Sequence, residues 1–125
     1  VLFTEREAEH AFLYLEEKLR TLDPDGEYQL TYMNRDSQNF KKGLTVTTFY
    51  LAKGLEFDTV FVIEANEGSC PYKKATANEE IEEERRLFYV AMTRAKRKLV
   101  ISYVKEKNGK DLLPSRFVSE LLLNV

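Results

Sequence analysis

Two uninterrupted apolar runs, Thr59–Ile63 (TVFVI) and Leu99–Val104 (LVISYV), constrain this chain more than anything else in it. A strand with one wet face alternates apolar and polar residues. A run without alternation is the pattern of a strand buried on both faces, as in a parallel sheet. Between the two runs lies the clearest helical pattern of the chain, Glu79 to Arg94. Glutamates fill its first turns, and Arg94, Lys96, Arg97 and Lys98 close it, which suits the helix dipole at both ends.

The rest of the chain extends this pattern. Ala8, Ala11, Phe12, Leu15 and Leu19 recur at helical spacing and predict a helix over 5–21, with Thr4 and Glu7 spaced as a capping box. Asp23-Pro24-Asp25-Gly26 is a turn, Tyr28–Met33 alternates like a strand, and Asn34–Gly43 is polar and turn-like. Leu44–Tyr50 (LTVTTFY) is β-branched and aromatic and reads as a strand. Asn66–Asn78 is a loop long enough to be functional or disordered. Lys105–Lys110 is a charged turn around Asn108-Gly109, and Pro114 opens a last helix packed through Phe117, Leu121 and Leu122. Helices alternating with buried strands predict a three-layer α/β fold with a mainly parallel sheet, in one domain over 1–125. Ligands of such sheets bind at the carboxyl ends of the strands. That directs attention to the loops starting near Tyr50 and Glu64 and to the end of the 79–96 helix.

Charge and composition exclude several classes. Nineteen basic residues against 21 acidic give a net charge of −2, so any contact with nucleic acid must come from a local patch. Cys70 is the only cysteine and His10 the only histidine, which excludes an internal disulfide framework and a Cys/His zinc set; no metal site is expected. No apolar run approaches the ~18 residues of a membrane span, and the opening residues carry no signal-peptide pattern. A cytoplasmic protein without a membrane partner is expected. The chain opens on Val1 and enters a helix almost at once, so it is expected to be a piece of a longer protein.

Several short motifs carry candidate chemistry. There is no Walker A loop: around Gly109-Lys110, Val104 stands where the first glycine belongs and Asp111 where Ser or Thr belongs. Val60–Glu64 imitates a Walker B strand, though Glu64 equally suits a plain strand end. Ala52–Phe57 (AKGLEF) places a cation, a glycine and an acceptor in one tight turn. Such a turn can take ribose hydroxyls and a phosphate, or be an ordinary β-turn. At ~100° per residue, Arg94 shares the stripe of Leu87, Val90 and Ala91. A plain surface charge is misplaced there, so Arg94 is either paired with a structural carboxylate or aimed at an anionic ligand across a domain boundary. Arg85 and Arg86 fall elsewhere, within reach of Glu82 and Glu83, and read as a solvated face. Tyr50, Tyr72, Lys73 and Lys74 mix aromatics with cations, as base stacking with phosphate contact requires, or are scattered surface residues.

Thr47–Val62 (TTFYLAKGLEFDTVFV), then Glu67-Gly68 with Pro71, then Glu83–Ala95 (EERRLFYVAMTRA) resemble the last two motifs of the UvrD/Rep-like superfamily 1 DNA helicases, in order, over roughly 44–104. The resemblance implies the second RecA-like motor domain, a P-loop NTPase-type fold without a P-loop of its own. ATP would be held with Mg²⁺ by an absent N-terminal RecA-like domain carrying Walker A and Walker B, and the isolated chain would be inactive. On the matching positions, Arg94 would be the catalytic arginine reaching the γ-phosphate; Gly54 and Glu56 would bind nucleotide with it. Thr48 and Tyr50 would lie on the single-stranded DNA path, with Lys53 beside them. The family's usual residue at position 50 is His. The short 26–44 interval leaves no room for the large insert of strand-separating members. That layout looks more like the helicase-IV-like branch that includes RNA-polymerase-recycling motor ATPases. A motor acting on RNA polymerase, and a degenerate RecA-like domain that only binds partners, are the alternatives to a DNA helicase.

Overall fold

The computed structural model describes residues 5–33 and 43–123. Their order is α1 (Glu5–Leu22), β1 (Leu30–Tyr32), β2 (Leu44–Val46), α2 (Phe49–Ala52), β3 (Phe57–Val62), α3 (Asn78–Met92), β4 (Ala95–Ile101), β5 (Glu106–Lys107), β6 (Lys110–Asp111) and α4 (Arg116–Leu123). The chain divides into two compact units, Val1–Leu51 and Ala52–Val125.

In the first unit, β1 and β2 pair in parallel, Leu30 opposite Leu44 and Tyr32 opposite Val46. Of α1, Ala8 is fully buried and Ala11, Phe12, Leu15 and Leu19 are partly covered, while Leu13 and Tyr14 are exposed. The inward stripe is the one its spacing predicts. The Phe12 ring lies 5.6 Å from that of Tyr32. After α1, the Asp23 carboxylate accepts from the amides of Glu27 and Tyr28 at 3.1 and 2.8 Å and fixes the turn. Gly43 has φ +130°, and a Cβ there would stand 2.2 Å from the carbonyl oxygen of Gln29, so only glycine lets β2 start so close to β1. Thr4, with its expected cap, and the turn-like residues 34–42 lie outside the described residues.

The strand predicted over 44–50 stops at Val46, and one helical turn follows. Phe49 and Ala52, three residues apart, are both buried, while Tyr50 is exposed. A β preference depends on context, and here the chain turns helical at Phe49.

In the second unit, β3 and β4 are parallel neighbours and α3 connects and packs on both. Glu79 and Glu80 stand in the first turn of α3, where the dipole favours them. Ala77 has no side-chain acceptor to offer as an N-cap, but the Glu80 carboxylate accepts from the Ala77 amide at 3.2 Å. The core joins Val60 and Val62 of β3, Phe88 and Ala91 of α3, and Phe117 and Val118 of α4, all buried. The Phe88 and Phe117 rings lie 5.7 Å apart. β3 is not buried on both faces as its apolar run predicts: Thr59 and Phe61 are exposed. Among the described residues β3 alternates over Thr59–Val62, while β4 is exposed throughout Lys96–Leu99, in a mixed α/β fold. Asn108 and Gly109, both at positive φ, close the two-residue hairpin of β5 and β6.

Candidate functional site

The expected nucleotide residues converge on one edge of the second unit. The turn after α2 closes through the Leu55 amide on the Ala52 carbonyl at 3.1 Å. Gly54 holds φ +83° in it, and a Cβ built there would meet nothing within 4 Å. The position thus favours glycine for its backbone, and the space above it is open. Glu56, exposed, is the last residue before β3, and Arg94 is the last before β4. The Phe57 amide donates to the Arg94 carbonyl at 2.8 Å, and Phe57 pairs with Ala95. Glu56 and Arg94 therefore begin neighbouring parallel strands at the same edge.

This is the amino edge of the pair, whereas the sequence directed the search to carboxyl ends. The reason is connectivity. The carboxyl-end rule concerns loops that leave strands, and these two residues sit on joints that enter them. In a strand–helix–strand crossover the helix ends where the second strand begins.

Arg94 takes its place from the end of α3. The Thr93 amide donates to the Tyr89 carbonyl, and the Thr93 hydroxyl to the Val90 carbonyl, each at 3.0 Å. Arg94 Nε donates to the Val90 carbonyl at 3.1 Å, and Nη2 to the Thr93 hydroxyl at 3.2 Å. A guanidinium on the last carbonyls of a helix sits at the negative end of its dipole. The residue is half-buried, neither sunk in the core nor loose in solvent. Among the described residues no carboxylate lies within 4.0 Å of it, so the structural ion pair is not found there. Glu56 has no ion-pair partner among them either. An acceptor and a guanidinium thus belong to residues that precede adjacent strands, and neither is in an ion pair among the described residues.

The residues expected on a nucleic-acid path differ from one another. Tyr50 is 66 % exposed and Lys53 is exposed, whereas Thr48 is 3 % exposed and presents almost no surface.

The other end of β3 is committed to structure. Asn66, buried, donates through Nδ2 to the carbonyls of Val104 at 2.7 Å and Leu113 at 2.9 Å, and its Oδ1 accepts from the Val104 amide at 3.0 Å. Its carbonyl accepts from the amides of Ser69 and Cys70. Ser115, fully buried, donates its hydroxyl to the Cys70 carbonyl and accepts from the Phe117 amide at 3.2 Å, which caps α4. Glu67 takes Arg116 in a two-pronged pair, Nε at 3.2 Å and Nη2 at 3.0 Å. Burial pushes the Cys70 thiol far above its ordinary range and removes it as a nucleophile. Glu64 ends the strand at φ +55°, with its carboxylate 3.8 Å from Lys107 Nζ. The long 66–78 loop is thus an ordered bracket.

Arg85 corrects the solvated-face expectation. It does pair with Glu82, but Nη2 and Nε also hold the Glu120 carboxylate at 2.9 and 3.1 Å, and the guanidinium lies 5.2 Å from the Phe117 ring centre. It clamps α3 to α4. Arg86, paired with Glu83 at 2.8 Å and well exposed, is the solvated case. Neither Asn66 nor the Arg85–Glu120 pair stood out in the sequence, because their partners are remote along the chain.

Residues 5–106 match the family model of the UvrD-like helicase C-terminal domain. The chain is 49% identical over 78 residues to an ATP-dependent DNA helicase Rep of Buchnera aphidicola, covering 59% of this chain and 12% of that protein. It is 46% identical over 79 residues to a DNA helicase II of Haemophilus influenzae, covering 59% and 11%. It is 37% identical over 117 residues to an ATP-dependent DNA helicase PcrA of Leuconostoc citreum, covering 86% and 16%. The chain thus spans less than a fifth of the length of these relatives. The comparisons lend no support to an RNA-polymerase partner. Among the described residues no helix is long and apolar enough to cross a membrane, and no group of His, Cys, Asp and Glu could hold a metal ion.

Proposed function

This chain belongs to the UvrD-like helicase C-terminal domain family, and from that membership we propose that it is the second motor domain of an ATP-dependent DNA helicase or translocase. In this reading residues 1–125 form one RecA-like domain, completed as a three-layer fold in the parent. ATP binds between it and an N-terminal RecA-like domain, which holds the triphosphate and Mg²⁺. ATP supplies the phosphoryl group whose transfer to water drives movement.

The amino edge fits such a ligand by its donor set. Glu56 offers an exposed carboxylate to ribose hydroxyls, Gly54 leaves room for close approach, and Arg94 brings a guanidinium free of carboxylates among the described residues. Arg94, held from behind by Val90 and Thr93, points its charge at the γ-phosphate oxygens and stabilises the negative charge that develops there. Because its anchor is the end of α3, a shift of this domain engages or withdraws the charge. Tyr50 and Lys53 meet the DNA strand, by stacking and by phosphate contact, while Thr48, buried, offers it almost no surface.

The single observation that carries the reading is the half-buried Arg94 beside Glu56, neither of them ion-paired among the described residues. The test is Arg94→Ala in the full-length protein. DNA-stimulated ATP turnover should fall by about 10³-fold or more, as for other arginines supplied to a γ-phosphate, with thermal stability held. Unchanged turnover rejects the reading in favour of a partner-binding domain.

A further inference from the structure

The second unit holds five arginines, and they divide sharply. Arg85, Arg86 and Arg116 each grip a carboxylate. Arg94 and Arg97 grip none among the described residues, and nor do Lys96 and Lys98, all three of 96–98 being exposed. Four cations without ion pairs among the described residues therefore stand together in one segment, 94–98; Lys53, Lys73, Lys74, Lys105 and Lys110 are unpaired among those residues too, in ones and twos. Its charged neighbours at that edge are Lys53, Glu56 and Asp58. Counting all seven groups, three positive charges remain in a chain whose net charge is −2. The composition demanded a local patch for any contact with nucleic acid, and this is one.

The backbone adds a second observation. Phe57 pairs with Ala95 but Thr59 pairs with Lys98, so β4 spends one residue more than β3 across Lys96 and Arg97. Such a bulge breaks the strict division of side chains between two faces and re-aims them. At about 3.3 Å per residue, 94–98 covers about 13 Å, the length on which one strand of B-form DNA carries about four phosphates.

We propose that Lys96, Arg97 and Lys98 form a track for the phosphodiester backbone of DNA, read by charge and not by base. The choice of DNA over other polyanions rests on the proposed helicase function; the track itself rests on the exposure, the bulge and the absence of ion pairs. The competing account is that cations and a bulge on an exposed strand simply prevent edge-to-edge association.

The test is the triple variant Lys96→Gln, Arg97→Gln, Lys98→Gln in the full-length protein, without nucleotide. Binding of a fluorescein-labelled dT20 and of a 20-base-pair duplex is followed by anisotropy across a series of NaCl concentrations. For three lost phosphate contacts, the slope of log affinity against log salt becomes shallower by about 2 on the single strand or nearly 3 on the duplex. Affinity at 50 mM NaCl falls at least tenfold. Equal slopes and affinities overturn the proposal. Equal binding with aggregation of the variant assigns the cations to protecting the strand edge; equal binding with lost ATP turnover assigns them to the contact with the other motor half. Arg94→Ala reads phosphoryl transfer and this experiment reads nucleotide-free binding, so each can fail without the other.

Discussion

The two ends of β3 are built on opposite plans. At the carboxyl end nearly every polar group is engaged by the protein: Asn66 by Val104 and Leu113, Ser115 by Cys70 and Phe117, Glu67 by Arg116. At the amino end Glu56 and Arg94 immediately precede adjacent strands and have no ion pair among the described residues. Open α/β sheets ordinarily place ligands at their carboxyl ends. The difference teaches that the polar groups a fold leaves unused and the topology of its sheet can point to opposite edges.

The sharpest way to break the comparison is to exchange the fates of two arginines, one on α3 and one just beyond its end. In the full-length protein Arg94→Ala should lower ATP turnover by about 10³- to 10⁵-fold, equivalent to about 4–7 kcal/mol of barrier. Arg85→Ala should change turnover by less than about tenfold while lowering the melting temperature. Steady-state turnover and calorimetry on the same preparations separate the two. If both arginines lowered turnover equally, the division between a structural and a catalytic end would be wrong.

Asn66→Ala attacks the committed end. It leaves the Val104 carbonyl and amide without their partner in a part-buried place, while the Leu113 carbonyl keeps the Glu67 amide, and each orphaned group costs about 1–3 kcal/mol. The two together set the expected loss, read as a lowered urea midpoint at unchanged slope. Asn66→Asp should lose nearly as much, since a carboxylate cannot donate to either carbonyl. A midpoint within 0.5 kcal/mol of the parent, a difference ordinary for a surface substitution, would show that the bracket is not what holds 66–70 to the rest.

What could be read from the sequence follows from what was local. The α1 stripe, the strand at 59–62 and the helix after it were legible from periodicity and apolar runs, but burial was not: Thr59, Phe61 and Leu99 are exposed, and Lys96–Lys98, read as the end of the helix, belong to β4. That Arg94 is not a plain surface charge was suggested by its spacing from Leu87, Val90 and Ala91, although α3 ends at Met92 and Arg94 lies just beyond it, half-buried. Its lack of a carboxylate was not legible, since pairing is decided by residues brought close only in three dimensions. The same holds for Asn66, whose partners lie 38 and 47 residues away. Leu44–Tyr50 misled for another reason. Its β-branched run suits a strand, but the chain turns helical at Phe49 with Tyr50 exposed, and a β preference of this kind depends on context.

A smaller effect comes from the clamp between α3 and α4. Arg85 and Glu120 are both partly in water, with side chains 35 % and 45 % exposed, so a double-mutant cycle with alanine should give a coupling of about 0.5–1 kcal/mol. The shared Glu82 keeps it from being larger, because Arg85 retains one carboxylate when Glu120 is removed.

The smallest effect is a matter of sign. The hydrogen bond from Arg85 holds the Glu120 carboxyl below the ordinary glutamate range of about 4.3. A depressed value in the folded state means stability that is present above the ordinary value and fades as pH falls through the lowered one. Glu84, on the same helix, runs the other way: burial raises its value, so its charge opposes folding at neutral pH. That opposition is relieved as pH falls through the raised value. On acidification Glu84 should therefore take its proton first and favour the fold slightly, and Glu120 should take its own later and weaken the clamp. Carboxyl chemical shifts followed by NMR should show the two midpoints on opposite sides of the ordinary value. Arg85→Gln should return only the Glu120 midpoint toward normal. If the Glu84 midpoint moved equally, the arginine would be setting a field across the whole helix, and the clamp would not be the local contact its geometry describes.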